Sequence, residues 1–359
     1  MSRLPALRRR IDAFDDKMLA LLNERAKVVQ AVYAEKVRQA KGGKVQAFVP
    51  GREAEILRRL NANNPGPFPK AAIPAVFREV ISGCRSLETL PQVAYYGQPG
   101  SHTHQAAMGV FGEQAEFVPQ VGIPGVFEEV EQGRCDYGLV PVENSTEGVI
   151  NHTLDLFVDS ELKVCSEVSP IIRNHLLAMG DLTKVKRVLS HPQPLAQCRR
   201  WLSANLPAAV LENASTTSVA AQMAAKDKSG RTAAIATELS ARLYKLKVLA
   251  RNIQDKSDNT TRFFVIGRTI AKPTGKDKTS VMLSIRDKVG ALAAVLKPFE
   301  KNKVNLTSIE SRPSRRKAWD YYFFIDFHGH QDQPRVQSLL KDLSRQVAQL
   351  KVLGSYPAA

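Results

Sequence analysis

Cysteine is scarce in this 359-residue chain, and what little there is does not cluster. Cys84, Cys135, Cys165 and Cys198 lie far apart with no Cys-x-x-Cys pair, which argues against a zinc site or a disulfide framework and for a reducing compartment, the cytoplasm. Long apolar runs are also missing: none approaches the roughly 18 residues of a membrane span. The N-terminus mixes Arg8, Arg9 and Arg10 with Asp12, Asp15 and Asp16 inside a periodic apolar pattern, unlike a secretory signal. The stretch TGKDKTS (Thr274 to Ser280) has a Gly-Lys step but lacks the upstream glycine of a phosphate-cradling loop, so no nucleotide is implied and the stretch reads as a solvated linker. Sequons at Asn144, Asn151, Asn213, Asn259 and Asn305 would matter only in a secreted protein.

What is present is positive charge, a formal +16 from 51 Lys and Arg against 35 Asp and Glu. The cations are spread along the whole chain, with no zinc-finger spacing or RNP-like aromatic strand, so neither nucleic acid nor a membrane is the expected partner. Excess positive charge equally steers small anions into clefts. A chain of this length with 43% apolar residues exceeds one ordinary core, and about two to three domains are expected.

The periodicity organises the chain further. Leu7, Ile11, Phe14, Met18, Leu21, Leu22, Val28, Val29 and Val32 recur at helical spacing, predicting one amphipathic helix from about Leu4 to Arg38. Such a helix cannot bury its stripe within so short a domain, so it needs a partner. KGGKVQAFVPG (Lys41 to Gly51) breaks it, a second helix runs from Arg52 to about Asn61, and a third from about Ile73 to Leu87. From Val93 to Ile266 strand and helix signals alternate. SDNTTRFFVIG (Ser257 to Gly267) reads as a buried strand with Thr261 and Arg262 on its entry loop. The C-terminal part reads strand, helix, strand, strand, helix, strand: Ser280 to Ile285, Ala291 to Phe299, Val304 to Ser311, Ala318 to Phe327, Pro334 to Gln346 and Leu350 to Tyr356, the ferredoxin-like order.

Particular motifs carry a resemblance. GLVPVENSTEGVI (Gly138 to Ile150), SHPQPLAQCRRWL (Ser190 to Leu202), ASTTSVAA (Ala214 to Ala221) and the tripeptide Thr261-Arg262-Phe263 stand in the order found in prephenate dehydratases. Leu4 to Glu88 resembles the all-helical chorismate mutases. Val281 to Gly329, with GAL (Gly290 to Leu292) and ESRP (Glu310 to Pro313), resembles an amino-acid-sensing ACT domain. That order is the order of the bifunctional chorismate mutase/prephenate dehydratase family, which takes chorismate through prephenate to phenylpyruvate on the branch to phenylalanine.

The resemblance implies an all-α mutase domain over 1–90, a two-lobed, periplasmic-binding-protein-like α/β dehydratase domain over 91–270 and an α+β ferredoxin-like ACT domain over 278–359. It implies a homodimer or higher homo-oligomer that exchanges the long helices, with no cofactor and no metal. In the mutase, a pericyclic rearrangement needs only a held conformer and stabilised negative charge. Arg8 (from the other protomer), Arg25 and Arg52 would clamp carboxylates, Glu53 would hold the ring hydroxyl, and Lys36 would donate to the ether oxygen with Glu88 opposite. Many relatives carry glutamine where this chain has Glu88, and aspartate where it has Val49. A carboxyl must be protonated to donate, so Glu88 implies a pH-dependent rate.

In the dehydratase, Thr261 would orient the leaving hydroxyl or relay a proton, with Arg262 and Phe263 completing the tripeptide. Glu143, Asn144, Ser145, Ser190 and Gln197 match the remaining polar cleft positions, and Glu143 is the conventional acid among them. Ser101, His102 and Thr103 replace the usual Thr, Phe and Ser, and His102 reads as a polar packing substitute. In the ACT domain, Gly290, Ala291 and Leu292 with Glu310, Ser311, Arg312 and Pro313 would bind phenylalanine at a dimer interface. Two other readings stand beside this one: a dehydratase acting on arogenate, and a non-catalytic amino-acid-binding regulator.

Overall fold

The structure, a computed structural model, describes residues 3–40, 45–46, 48–146, 148–285, 288–314 and 321–358. It divides into two compact units, residues 1–91 with 110–116, and residues 92–109 with 117–359.

The first unit is helical. α1 (Leu4–Gln39) carries Pro5 in its first turn, where the ring's fixed φ suits a helix start and no N–H is missed. None of its residues is buried, and Leu7, Ile11, Phe14, Met18, Leu21, Val28 and Val32 all stand exposed along it. α2 (Pro50–Ala62) begins ahead of Arg52 because Pro50 occupies the first turn. α3 (Ile73–Arg85) stops short of Leu87. Phe48, Ile73, Ile81 and Cys84 are buried, and Phe48 packs on Phe111 with ring centroids 4.5 Å apart.

The second unit holds three sheets. Its first lobe contains β1 (Gln92–Tyr96), α4 (His102–Phe111, whose last residues belong to the first unit), β2 (Glu116–Gln120), α5 (Ile123–Glu131), β3 (Tyr137–Asn144), β4 (Gly148–Val149), α6 (Asn151–Asp159) and β5 (Lys163–Val168). The chain then crosses to a second lobe of β6 (His175–Ala178), β7 (Arg187–Ser190), α7 (Pro192–Gln197), α8 (Arg199–Asn205), β8 (Val210–Asn213), α9 (Thr217–Lys226), β9 (Thr232–Ala236), α10 (Glu238–Tyr244) and β10 (Lys247–Ala250). It returns through β11 (Thr261–Gly267), which inserts antiparallel between β3 and β5. The first sheet runs β2-β1-β3-β11-β5 and the second β10-β6-β9-β7-β8. Burial explains the centre of each: β9 (TAAIA) is buried throughout, and α9 lays Ala220, Ala221 and Ala224 against it, small side chains that let helix and sheet approach closely. The two crossovers run side by side, joined by an Ile171–Thr260 bridge and by Ile172 N donating to Asn259 O at 2.8 Å.

The third sheet comes from β12 (Asp277–Ser284), α11 (Ala291–Lys301), β13 (Leu306–Pro313), β14 (Tyr321–His328), α12 (Pro334–Ser344) and β15 (Gln349–Pro357), in the order β13-β14-β12-β15. This is the expected ferredoxin-like pattern; the start of the strand placed at Ala318 lies outside the described residues. TGKDKTS is not a solvated linker. β12 already begins at Asp277, whose buried carboxylate accepts Thr274 N and Gly275 N, so the second half of the stretch is core strand. Val295, Phe299, Val336 and Leu339 fill one side of this sheet, while Met282, Phe324, Leu353 and Tyr356 join the core of the first lobe.

Candidate active sites

In the helical unit, α2 and α3 bring Glu53 and Arg85 within 3.5 Å, both nearly sealed from solvent. Burial pushes the Glu53 carboxyl up to about 7, against the pull of Arg85, Arg78 and Arg25. Burial likewise raises Glu88 above the usual carboxylate range, against Lys36 and Arg85. The Arg85 charge acts on both carboxyls; the Nη2 that meets Glu53 also donates to Phe111 O at 3.1 Å, and the guanidinium lies 5.1 Å over the Phe48 ring. Arg25 Nη1, Arg85 Nη1 and Glu88 Oε2 are buried without a hydrogen-bond partner. An unpaired buried cationic donor is costly, and an anionic group placed among these residues would satisfy it.

The structure therefore gathers Arg25, Lys36, Glu53 and Glu88 as the sequence suggested. Arg52 is placed differently: it is exposed and pairs with Glu55 at 2.8 Å. Arg8 is exposed on α1. Arg85 was missed by sequence reasoning. Its signal was a charge on the apolar stripe, one turn after Ile81 on the buried face of α3.

In the second unit a cavity of about 290 Å³ lies between the lobes, lined by His102, Asn144, Gln197, Asn259, Thr261 and Phe263 among others. Thr261 is a strand residue rather than a loop residue, directly opposite Asn144. The Asn144 amide donates to Thr261 Oγ1 at 2.8 Å and to Asn259 Oδ1 at 3.1 Å. Its orientation is fixed because Thr146 N donates to Asn144 Oδ1 at 3.0 Å, and a backbone N–H requires an acceptor there. Asn259 Nδ2 and Asn174 Nδ2 both donate to Gln197 Oε1 at 3.4 Å, and Ser145 Oγ donates to Asn259 Oδ1 at 3.4 Å. This amide chain holds the Thr261 hydroxyl as an acceptor, leaving its proton for a group in the cavity.

His102, read from the sequence as a polar packing substitute, lines the same cavity. Burial lowers its pKa to about 4, so the imidazole is neutral, and its Nε2 has no hydrogen-bond partner. A neighbouring cavity of about 400 Å³ shares Gln193, Gln197 and Asn259 and adds the charged groups Arg200, Lys256 and Asp255.

Three expected cleft residues lie elsewhere. Ser190 is fully buried at the end of β7, donating to Ile235 O at 2.7 Å. Glu143 alternates away from Asn144 on β3 and lines neither cavity. Arg262 likewise alternates away from Thr261; its guanidinium meets Glu167 at 2.7 Å and Asp326 at 2.6 Å. Asn174 and Asn259 were missed because they sit on the irregular crossovers, where no periodicity marks them. Among the described residues no group of His, Cys, Asp or Glu is arranged to hold a metal ion.

Gly290 opens α11 at φ 80°, and a Cβ built on it meets nothing within 4 Å. The glycine is required by left-handed backbone rather than by crowding within the chain. Arg312 turns to Asp155 of α6, at 3.0–3.2 Å through two nitrogens.

Helical anion site, two-lobed cleft and α+β module together define a multidomain enzyme acting on small anions. Three family models match in succession: chorismate mutase type II over residues 7–89, prephenate dehydratase over 93–271 and ACT domain over 279–345. A bifunctional chorismate mutase/prephenate dehydratase of Aquifex aeolicus (strain VF5) is 46% identical, covering 100% of this chain and 99% of that relative. The chain belongs to the bifunctional chorismate mutase/prephenate dehydratase family. A solved structure of prephenate dehydratase in complex with L-Phe from Arthrobacter aurescens is 35% identical, with TM-score 0.69, covering 75% of this chain and 90% of that one. Another, described as GqqA, a novel type of quorum quenching acylase, is 26% identical with TM-score 0.70, covering 75% and 98%.

Proposed function

We propose that this chain converts chorismate to prephenate in its helical unit and prephenate to phenylpyruvate in the two-lobed cleft, under feedback inhibition by phenylalanine. The working domains are 1–90, 91–270 and 278–359, in the cytoplasm. The observation that carries the dehydratase reading is the Asn144–Thr261 bond at the cavity wall.

In the helical unit, Arg25 and Arg85 offer unpaired donors to the carboxylates of chorismate. Lys36 and a protonated Glu88 flank the ether oxygen, where negative charge grows as the C–O bond breaks. Glu53 holds the ring hydroxyl. The bare apolar stripe of α1 supports a dimer in which two long helices cover each other, and Arg8 then enters the partner's site.

In the cleft, the bond from the ring to the departing carboxylate supplies its electron pair to the ring, carbon dioxide leaves, and the C–OH bond breaks as the ring becomes aromatic. The hydroxyl needs a proton to leave as water. Thr261, held by Asn144, donates its O–H to that oxygen and regains its proton from solvent water, and Arg200 and Lys256 at the adjoining cavity, exceeding Asp255 by one charge, attract the dianion. Glu143 is not the donor in this scheme, since it faces away from the cavity.

Purified protein supplied with chorismate should accumulate prephenate transiently and phenylpyruvate finally. Supplied with arogenate alone it should form phenylalanine far more slowly than it forms phenylpyruvate from prephenate. Absence of phenylpyruvate from either chorismate or prephenate would remove the dehydratase reading and favour a non-catalytic regulator.

A further inference from the structure

Arg262 stands beside Thr261 in the tripeptide, yet every contact recorded for its guanidinium points away from the cavity. Nε and Nη2 meet Glu167 of β5 at 2.8 and 2.7 Å, Nη1 meets Asp326 of β14 at 2.6 Å, and Nη2 donates to Tyr356 Oη of β15 at 3.2 Å. The group also stacks 4.7 Å over the Phe264 ring. Lys278 of β12 completes the cluster on Glu167 at 2.9 Å, so two cations face two carboxylates. Ser280, also on β12, donates to Asp326 at 2.5 Å and meets Tyr356 Oη at 2.6 Å. Two strands of the C-terminal sheet therefore meet the Arg262 side chain directly, and β12 braces the groups they present.

The cluster is buried and closely hydrogen-bonded. Side-chain exposure is 3% for Glu167, 14% for Arg262 and 10% for Asp326. Burial disfavours ionisation of Glu167, but Arg262 and Lys278 outweigh it and hold its carboxyl below the usual range. A buried pair of this kind is worth little as net stability, because desolvation offsets attraction, but it fixes geometry tightly. The guanidinium is a planar fork, so a shift of Asp326 relative to Glu167 must tilt it and pull on its own backbone. That backbone is where β11 can give: the β11–β3 register slips between Arg262 and Phe263. The module behind the cluster is coupled to the first lobe at two further points, so a rearrangement of its sheet is passed to β5 and β11 rather than absorbed between the layers. A Cβ at Gly354 of β15 would lie 2.2 Å from Val164 O of β5, and Arg312 is forked onto Asp155.

We propose that Arg262 is a positioning residue rather than a substrate ligand: through Asp326 and Tyr356 it lets the C-terminal sheet set the Thr261 hydroxyl, and it carries the inhibitory signal of a bound amino acid to the cleft. This rests on the dehydratase reading above, with phenylalanine as effector. An effector that shifts the C-terminal sheet between two arrangements changes the angle at Arg262, and so the donor at Thr261, without touching substrate.

The test uses the full chain carrying Asp326→Asn, with mutase activity in the same preparation reporting on folding. Turnover of prephenate should fall ~10-fold or more while KM stays within ~3-fold, the pattern of an interaction lost only in the transition state. Phenylalanine should still bind by calorimetry but should no longer inhibit what turnover remains. Tyr356→Phe keeps the charges and the ring, and removes one bond to Arg262 and one to Ser280. It should fold where Asp326→Asn does not, and should weaken maximal inhibition in the same sense. A KM raised ~10-fold at unchanged kcat in either variant would make Arg262 a substrate ligand and overturn the inference. Wild-type turnover and inhibition in Tyr356→Phe together with a folded Asp326→Asn, or in Tyr356→Phe alone if the other does not fold, would also overturn it. Failure of the unaltered protein to consume prephenate would overturn the dehydratase reading and this inference with it. Failure of phenylalanine to bind the unaltered protein would overturn the signalling half, while the kcat against KM split still judges the positioning half.

Discussion

Asn144 and Thr261 face each other as partners on β3 and β11, and the amide of the first donates to the hydroxyl of the second at 2.8 Å. The bond occupies a lone pair of the hydroxyl and sets its rotamer, so its proton is directed elsewhere. Thr261→Ala should lower phenylpyruvate formation by roughly two orders of magnitude, the scale of a lost positioned donor, with mutase turnover unchanged. Asn144→Asp is the sharper probe. A carboxylate cannot donate, so Thr261 would turn its O–H into a hydrogen bond to the carboxylate, and the rate should fall although the shape is preserved. Unaltered turnover in Asn144→Asp would sink the role assigned to the pair.

Arg85 should prove as necessary to the mutase as Arg25. Arg85→Met leaves Glu53 buried without its nearest cation. Prephenate formation from chorismate should fall about 100-fold or more, while prephenate added directly is still consumed. Rates with both substrates on one preparation check this, and equal losses in the two would indicate misfolding instead.

The buried carboxyls give the helical unit a pH signature. Glu53 is raised to about 7 from 4.5. A carboxyl whose folded pKa is raised contributes stability fully present below its unfolded pKa and lost as pH rises through the folded one, so this contribution should fade between about pH 4.5 and 7. Urea midpoints of the helical signal should show that slope in the unaltered protein, and Glu53→Gln should remove it. Glu88, also raised, should make the mutase rate fall with rising pH, and Glu88→Gln should flatten the profile. A flat profile with Glu88 in place would exclude the protonated donor.

Gly290 sits at φ 80° with open space around its missing Cβ. Gly290→Val should abolish phenylalanine inhibition while leaving dehydratase turnover intact, because a β-branched residue resists the left-handed region. Gly290→Asn should retain inhibition, since asparagine tolerates that conformation. Calorimetry with phenylalanine on the two variants separates backbone conformation from crowding: loss of binding in both would mean that the ligand itself fills the space.

Much of the architecture was legible because it rests on local pattern. The periodicity of Leu7, Ile11, Phe14 and Met18 is enough to define α1, and the structure leaves that stripe exposed along the helix. The alternation around Ala291, Val304 and Pro334 fixes the ferredoxin-like order in the same way. Thr261, Asn144, Gln197, Glu53 and Glu88 were legible by motif. Direction was not. Glu143 and Arg262 are neighbours of Asn144 and Thr261 in the chain, and the period-two pleat of a strand turns adjacent side chains to opposite faces, so membership of a motif places a residue near the cleft without aiming it there. Ser190 belongs to such a motif too, yet its hydroxyl is consumed by Ile235 O in the core. What only the tertiary structure decided is which distant groups meet. Asn259 and Asn174 reach Gln197 because the crossovers run side by side, and Asp326 reaches Arg262 because the C-terminal sheet shares a core with the first lobe. Those contacts join residues dozens of positions apart, and no local periodicity encodes a long-range juxtaposition of polar atoms.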